Sequence, residues 1–114
     1  MILPSHNRLK GTVRIEEIKR KGKVVQNDLF GVIYMENQPG DKPKFGFVIS
    51  TKISKLAVHR NRINRSLHEG VRRILNLVPQ NYDFVFLAKK SIEKKSTEEI
   101  IREVELFFQS RAIQ

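Results

Sequence analysis

The spacing of apolar side chains predicts three helices. The first is expected over residues 12–21, with Thr12 as its N-cap and Gly22 as its stop. Apolar positions recur every three or four residues over 56–74, which is typical of an amphipathic helix, and this helix should end before Pro79. The third helix is predicted by a capping box followed by one apolar face: Ser96, Glu99, Ile100, Ile101, Val104, Phe107 and Phe108.

Between these helices, several segments have the composition of strands. Residues 24–35 form either one strand bent near Gly31 or two short strands separated by a kink near Asn27 and Asp28. A turn-forming run follows, and residues 45–50 are expected to complete a hairpin with the preceding strand. Residues 84–88 are apolar almost without interruption, which indicates a strand buried on both faces.

The order of these elements, α-β-β-β-α-β-α, predicts an α+β fold. The 114 residues are enough for one hydrophobic core and too few for two ordinary domains. No repeat, linker or low-complexity tract divides the chain. We therefore predict a single domain over residues 1–114.

The chain is strongly basic, with 22 Lys and Arg against 12 Asp and Glu, a net charge of +10 and a pI near 10.2. Such a charge favours a nucleic acid or an anionic membrane surface as partner. A membrane role fits less well, because no apolar run approaches the roughly 20 residues of a spanning helix and the N-terminus lacks a signal-peptide core. Because cysteine is absent, disulfides and thiolate metal sites are ruled out, and a cytoplasmic location is expected.

The positive charge is concentrated in residues 52–73, which contain seven Lys or Arg and a single acid, Glu69. On a helical wheel, one face opposite the apolar stripe carries Arg62, Arg65, Arg72 and Arg73. A third edge, between the two, carries Asn61, Asn64 and His68. Arginine forks match phosphate geometry and stay charged at any relevant pH, so this helix is suited to bind nucleic acid.

The signals for protein catalysis and for metal binding are weak. The three histidines do not have the spacing of a metal site, and the aspartates are too scattered for two-metal hydrolysis. Neither a Ser-His-Asp pattern nor a phosphate-cradling glycine loop is visible. We therefore predict no catalytic residue and no metal site in the protein itself.

Residues 45–65, FGFVISTKISKLAVHRNRINR, resemble the signature of the bacterial ribonuclease P protein subunit. In that family a strand of the type GxxxSxK leads into a helix carrying AVxRNRxxR. The residues that fall in step are Gly46, Ser50, Lys52, Ala57, Val58, Arg60, Asn61, Arg62 and Arg65. The likeness covers nearly the whole chain, because residues 7–10 resemble the family's opening, Phe30 matches a strand aromatic and residues 83–89 resemble its D-[YF]-V-x-x-A-[RK] strand.

The resemblance implies a two-layer sandwich in which a mixed sheet of about four strands packs against helices. It also implies a left-handed βαβ crossover through the arginine helix, as in the second domain of ribosomal protein S5. The family's protein binds a large catalytic RNA, and the particle removes the 5′ leader of precursor tRNA. The RNA and its Mg²⁺ ions carry out the chemistry, and no obligate protein partner is expected.

The resemblance further assigns two contact surfaces. The residues expected to contact the catalytic RNA are Lys52, Lys55, Arg60, Arg62 and Arg65, to which the arginine face adds Arg72 and Arg73. A cleft between the first helix, the sheet and the Asn61 edge would take the single-stranded leader. Its predicted residues are Ile15, Lys19, Phe30, Ile33, Asn61, Asn64 and His68.

This cleft departs from the family's pattern. The family usually has two phenylalanines four residues apart in its first helix, where this chain has Ile15 and Lys19. The family's Asp before the first Phe is Arg14, and a strand aromatic is Ile33. Stacking a base on an aromatic ring contributes about 1–3 kcal/mol. We therefore expect leader binding to rely more on charge and apolar contact, while assembly with the catalytic RNA is retained.

Three other functions remain open. A ribosomal or ribosome-assembly protein would share the basic helix but would not depend on precursor tRNA. A helix-turn-helix DNA-binding protein would need a partner helix a few residues upstream, where residues 45–50 are predicted as a strand. A self-sufficient protein nuclease would need neighbouring carboxylates that the chain lacks.

Overall fold

The predicted order of elements is found in the computed structural model, which describes residues 3–110. The helices are α1 (Val13–Lys21), α2 (Ala57–Arg73) and α3 (Thr97–Gln109), and the strands are β1 (Lys23–Gln26), β2 (Phe30–Glu36), β3 (Phe45–Val48) and β4 (Tyr82–Ala88). Short 3₁₀ turns lie at Ser5–Asn7, Leu75–Leu77 and Lys90–Lys94. The α+β class is confirmed. Residues 1–2 and 111–114 of the predicted domain lie outside the described part.

The four strands form one mixed sheet in the order β1-β2-β4-β3. β4 is antiparallel to β2 and parallel to β3, so α2 is the crossover between two parallel strands. The predicted hairpin with residues 45–50 is wrong, because β4 lies between β2 and β3. Its Phe84, Val85 and Phe86 are fully buried, which suits a central strand covered on both faces. The left-handedness of the crossover stays a prediction.

Of the two alternatives for residues 24–35, two separate strands are confirmed. β1 and β2 form an antiparallel hairpin in which Val24 is opposite Ile33. The side chain of Asn27 closes the turn, since its Oδ1 accepts the N–H groups of Leu29 and Phe30 at 2.9 Å each. An Asn side chain that replaces a backbone acceptor is a common way to make a tight turn.

Alternation along the strands produces two cores, one on each face of the sheet. On one face the core combines sheet residues with α2 and α3: Phe30, Val32, Phe45, Phe84, Phe86, Ile63, Leu67, Val104 and Phe107. On the other face Ile33 and Val85 pack against Ile18 of α1. The predicted sandwich of sheet and helices is therefore confirmed, and α1 adds a partial cover on the opposite face.

The two predicted helix starts differ in detail. The capping box of α3 is present, since the Glu99 N–H donates to Ser96 Oγ at 3.1 Å and the Ser96 N–H donates to Glu99 Oε1 at 3.0 Å. Thr12 does precede α1, but its side chain makes no capping hydrogen bond. The first helix therefore begins without the side-chain cap that the third helix has.

The end of α1 is held against the sheet at Gly22. Its φ of −76° is open to any residue, so conformational freedom is not the reason for glycine here. A Cβ atom at this position would lie 2.7 Å from the Ile18 carbonyl oxygen and 2.8 Å from that of Tyr34. Glycine lets the backbone turn from α1 into β1 while the helix stays in contact with β2.

The N-terminal arm covers the outer edge of β3. Arg8 forms an isolated parallel bridge with Phe45, and the Leu9 N–H donates to the Phe45 carbonyl at 2.9 Å. The buried Asn7 donates through Nδ2 to the Pro43 carbonyl at 2.8 Å. An uncovered edge strand can pair with another chain, so this arm protects the edge that lies beside α2.

Candidate nucleic-acid interface

α2 presents its basic side because its apolar side is fixed in the core. Ile63, Leu67 and Val71 are fully buried. Gly70 brings the helix close to α3, since a Cβ atom there would lie 2.8 Å from Val104 Cβ. The period of 3.6 residues then leaves Arg62, Arg65, Arg72 and Arg73 on the other side of the helix, as the sequence pattern predicts.

Three of the predicted RNA contacts are exposed and available. Lys52 and Lys55 lie in the loop before α2, and Arg65 lies near the middle of the helix. Within residues 3–110, none of the three side chains makes an ion pair or a hydrogen bond. We call these residues, together with Arg60 and Arg62, the α2 basic surface.

Arg60 and Arg62 have a second, structural role. Arg60 Nη1 donates to the Ser54 carbonyl at 2.8 Å. Arg62 donates to two carbonyls ahead of α3, from Nη1 to Lys95 at 3.0 Å and from Nη2 to Glu93 at 3.3 Å. Neither guanidinium is paired with a carboxylate of the described residues, and each has five N–H donors, so donors remain for a phosphate.

Arg72 and Arg73 are both paired with Glu69. Arg72 donates to both carboxylate oxygens at 2.8 and 2.7 Å, and Arg73 Nε lies 2.8 Å from Oε2. These hydrogen bonds, first from Arg72 and then from Arg73, lower the pKa of Glu69 to about 2. The carboxylate therefore stays ionised near neutral pH. This end of the helix offers one net positive charge, not the two that the arginines alone would give.

On the other face of the sheet, partly buried apolar side chains lie beside α1. Ile15 packs over Gly46, where a Cβ atom would lie 3.2 Å from Ile15 Cδ1. Val48 and Leu87 are neighbours in the β3–β4 register and are half-buried against the α1 core. Lys19 follows Ile15 by one helical turn, and its Nζ lies 3.6 Å from Glu16 Oε2. We call these four residues, Ile15, Lys19, Val48 and Leu87, the α1 groove.

Two strand residues predicted for the cleft are not accessible. Phe30 is fully buried on the opposite face, with its ring 5.2 Å from that of Phe86 and 5.7 Å from that of Phe107. Phe30 and Ile33 are three positions apart in β2, so the alternation of a strand directs them to opposite faces. Ile33 does lie on the α1 side but is 5% exposed beneath the helix.

The three residues of the predicted polar edge of α2 differ in their exposure. Asn61 is exposed, Asn64 is half-buried and His68 is buried. The His68 ring lies 4.4 Å from that of Phe47, and burial, with the nearby Arg8, lowers its pKa. Phe30 and His68 therefore lie against the core on the α2 side of the sheet, whereas Ile15 and Ile33 lie on the α1 side. The assignment of Asn61, Asn64 and Lys19 to the leader cleft stays a prediction.

One contact near the groove was not predicted from the sequence. Arg14 Nε lies 3.1 Å from Oδ2 of the buried Asp83, which links α1 to β4. These residues are 69 positions apart. The sequence identified Arg14 only as a departure from the family's pattern, since no local spacing relates the two residues.

Metal-binding clusters and membrane-spanning helices are both missing from the described residues. Within residues 3–110, no three His, Cys, Asp or Glu side chains are grouped so that they could hold a metal ion. Over the same range, none of the helices has the length and apolarity needed to cross a bilayer.

Comparison with known proteins identifies relatives over nearly the full chain. The model of the family described as Ribonuclease P matches residues 3–111. The ribonuclease P protein component of Caldanaerobacter subterraneus subsp. tengcongensis is 33% identical over 107 residues, which cover 88% of this chain and 90% of that protein. That of Bacillus pumilus is 30% identical over 112 residues, which cover 97% and 92%. The solved structure of the Staphylococcus aureus RNase P protein has a TM-score of 0.82 at 25% identity and covers 91% of this chain and 94% of that one.

Proposed function

Because the chain belongs to the ribonuclease P protein family, we propose that it binds the RNase P RNA through the α2 basic surface and the 5′ leader of precursor tRNA along the α1 groove. Its function is that of the family: it is the protein subunit of a ribonucleoprotein endoribonuclease that works with an RNA subunit in tRNA 5′ maturation. The ribosomal-type, DNA-binding and protein-nuclease alternatives are set aside, because the family match spans residues 3–111.

The observation that carries the proposal for the RNA subunit is that Lys52, Lys55 and Arg65 are exposed and have no carboxylate partner within residues 3–110. Lysine and arginine side chains that neutralise phosphates release condensed counterions, which is the main source of salt-dependent affinity for RNA. Arg60 and Arg62 add two guanidinium groups on the same helix, and the hydrogen bonds that these groups donate to backbone carbonyls hold them in place. Pre-ordered forks lose less side-chain freedom when a phosphate binds.

The leader is assigned to the α1 groove because the residues of this groove combine a cation with apolar side chains. Lys19 can pair with a leader phosphate, and Ile15, Val48 and Leu87 offer apolar contact to a base. No aromatic side chain belongs to this groove, so stacking contributes little here. No obligate protein partner is part of the proposal.

The protein's own carboxylates do not fit a Mg²⁺ site. Asp83 is buried and is occupied by Arg14 and by the Lys44 N–H, and the described residues contain no metal-binding group of three. We therefore propose that the Mg²⁺ ions of the reaction are held by the RNA.

Reconstitution tests the proposed function. The purified protein is combined with the RNase P RNA of its source organism at low Mg²⁺ concentration, and 5′ leader cleavage of precursor tRNA is measured. We expect cleavage well above that of the RNA alone, with a matched basic protein such as lysozyme as the control for nonspecific charge. Cleavage equal to that of the RNA alone, or to that with the control protein, would reject the function.

A second prediction concerns the two arginines paired with Glu69. Glu69→Gln should free Arg72 and Arg73 and raise the affinity for the RNase P RNA by a few fold at low salt, with a salt slope steeper by about one. The fold should be retained, since surface ion pairs contribute only about 0–1 kcal/mol. Binding is measured by fluorescence anisotropy over a series of salt concentrations.

The matched control is Glu36→Gln, which makes the same charge change at an exposed side chain that has no ion pair in the described residues. Both substitutions raise the net charge by one. Equal affinity gains in the two variants would show that Arg72 and Arg73 lie outside the RNA contact.

A further inference from the structure

The guanidinium of Arg14 contacts three elements at one end of the sheet. Its Nε lies 3.1 Å from Asp83 Oδ2 in β4, and its Nη1 lies 2.7 Å from Glu17 Oε1 in α1. Its Nη2 donates to the Glu36 carbonyl at the end of β2 at 2.9 Å. All three nitrogens are therefore engaged within the protein, which leaves Arg14 poorly placed to bind RNA directly.

Asp83 extends this link to a third strand. The carboxylate is buried, and its other oxygen accepts the N–H of Lys44, just before β3, at 3.2 Å. The Arg14–Asp83 pair thus joins α1 to β4, to the end of β2 and to the start of β3. Charge-assisted hydrogen bonds of this kind are stronger and more directional than apolar contacts, so they fix position as well as proximity.

α1 needs such a link because its apolar anchor is small. The helix has nine residues, and Ile18 is its one buried side chain. A helix of this length is not stable on its own in water. Gly22 holds the C-terminal end against β2, and Arg14 holds the N-terminal end.

The same helix carries the wall of the α1 groove. Ile15 directly follows Arg14, and Lys19 follows one turn later, so any tilt of the N-terminal end of α1 displaces Ile15 from Gly46 and changes the width of the groove. We infer that Arg14 is a positioning residue for leader binding: through Asp83 and Glu36 it holds α1 at the distance from the sheet that the leader requires. This inference rests on the proposed assignment of the leader to the α1 groove.

The test removes the pair without leaving a lone buried charge. In Arg14→Gln with Asp83→Asn, both charges are lost together, and the net charge is unchanged. We expect the preference for precursor over mature tRNA to fall by about tenfold, the equivalent of one good contact. Affinity for the RNase P RNA and for mature tRNA should stay at the wild-type level. Hydrogen exchange of the α1 amides should become faster relative to those of α3.

A matched control is Asp41→Asn with Lys44→Gln. It removes an ion pair at the same end of the sheet, with Nζ–Oδ2 at 4.0 Å, that does not involve α1. Its net charge is also unchanged. The control should keep the wild-type preference for precursor tRNA and the wild-type exchange of α1.

Three outcomes are informative. A lost precursor preference with faster α1 exchange supports the inference, whereas a retained preference overturns it and leaves Arg14 a purely structural residue. An equal loss of affinity for precursor tRNA, mature tRNA and the RNase P RNA also overturns it. If the double variant does not fold, Arg14→Lys decides: an intermediate preference supports the inference, and the wild-type value contradicts it.

Failure of the proposed function gives a different result. If the leader does not lie in the α1 groove, substitution of the groove residue Lys19 by alanine leaves the precursor preference of the wild-type protein unchanged. Loss of preference in Lys19→Ala, with no effect in the Arg14 variants, would keep the groove and reject only the positioning role.

Discussion

Replacing Lys52, Lys55 and Arg65 with alanine is expected to weaken binding of the RNase P RNA by about 100-fold at moderate salt, if each phosphate contact contributes about 1 kcal/mol. The slope of log K against log salt should fall by about two to three, since each lost contact releases roughly one counterion fewer. The fold should not change, because the three side chains are exposed and make no hydrogen bond or ion pair with the described residues. Binding is measured at four or more salt concentrations, with the thermal midpoint as a check on folding.

The control for this variant removes the same charge from other surfaces. Arg20, Lys42 and Arg102 are exposed on α1, on the loop before β3 and on α3, respectively. Their triple alanine variant has the same net charge as the first. If the two variants lose affinity equally, the effect comes from total charge, and the α2 basic surface is not the contact with the RNA subunit.

This prediction concerns the part of the site that the sequence specifies best. The apolar period over residues 56–74 correctly identifies Ile63, Leu67, Val71 and Ile74 as buried, although its first position, Leu56, is exposed and His68 is buried outside the stripe. The exposure of Arg65 follows from that pattern, whereas Lys52 and Lys55 precede the helix and are assigned by the family resemblance. What the pattern does not reveal is the local pairing of Arg72 and Arg73 with Glu69, although the i,i+3 and i,i+4 spacings of these residues permit it.

The order of the strands is harder to predict from local sequence. Residues 37–43 have turn composition, and a hairpin to residues 45–50 is the simplest prediction. The observed sheet instead inserts β4, because a strand with apolar side chains on both faces gains most from a central position. That choice depends on burial against α1 on one side and against α2 and α3 on the other, which only the assembled fold provides.

The leader surface illustrates the same limit at the level of single side chains. The family likeness groups Phe30 and Ile33, yet the alternation of β2 places them on opposite faces of the sheet. The Arg14–Asp83 pair joins residues with no local relation. Sequence spacing predicts which residues share a face of one element, whereas contacts between elements need the sheet order first.

The same geometry makes a large gain of function possible in the α1 groove. Lys19→Phe together with Ile15→Phe is expected to raise the preference for precursor over mature tRNA by about tenfold or more, because stacking one base on an aromatic ring contributes about 1–3 kcal/mol. Residue 19 is exposed, so a phenylalanine ring at this position is free to contact a base. Ile15 lies over Gly46, whose missing Cβ leaves a flat surface on which a ring can rest.

The salt dependence separates stacking from charge in this double variant. Loss of the Lys19 cation should flatten the salt slope for the precursor by roughly 0.7, the value for a single-stranded contact. The gain from stacking should therefore be largest at high salt. At low salt, the affinities of the wild-type protein and the double variant for precursor tRNA should converge or cross. The matched control is Ile15→Phe with Arg20→Phe, which makes the same change in charge and also adds two rings. Its second ring lies at residue 20, which is turned by about 100° around α1 from residue 19. An equal gain in the control would show that the ring at residue 19 adds nothing to the ring at residue 15 that both variants share, and it would exclude residue 19 from the leader contact.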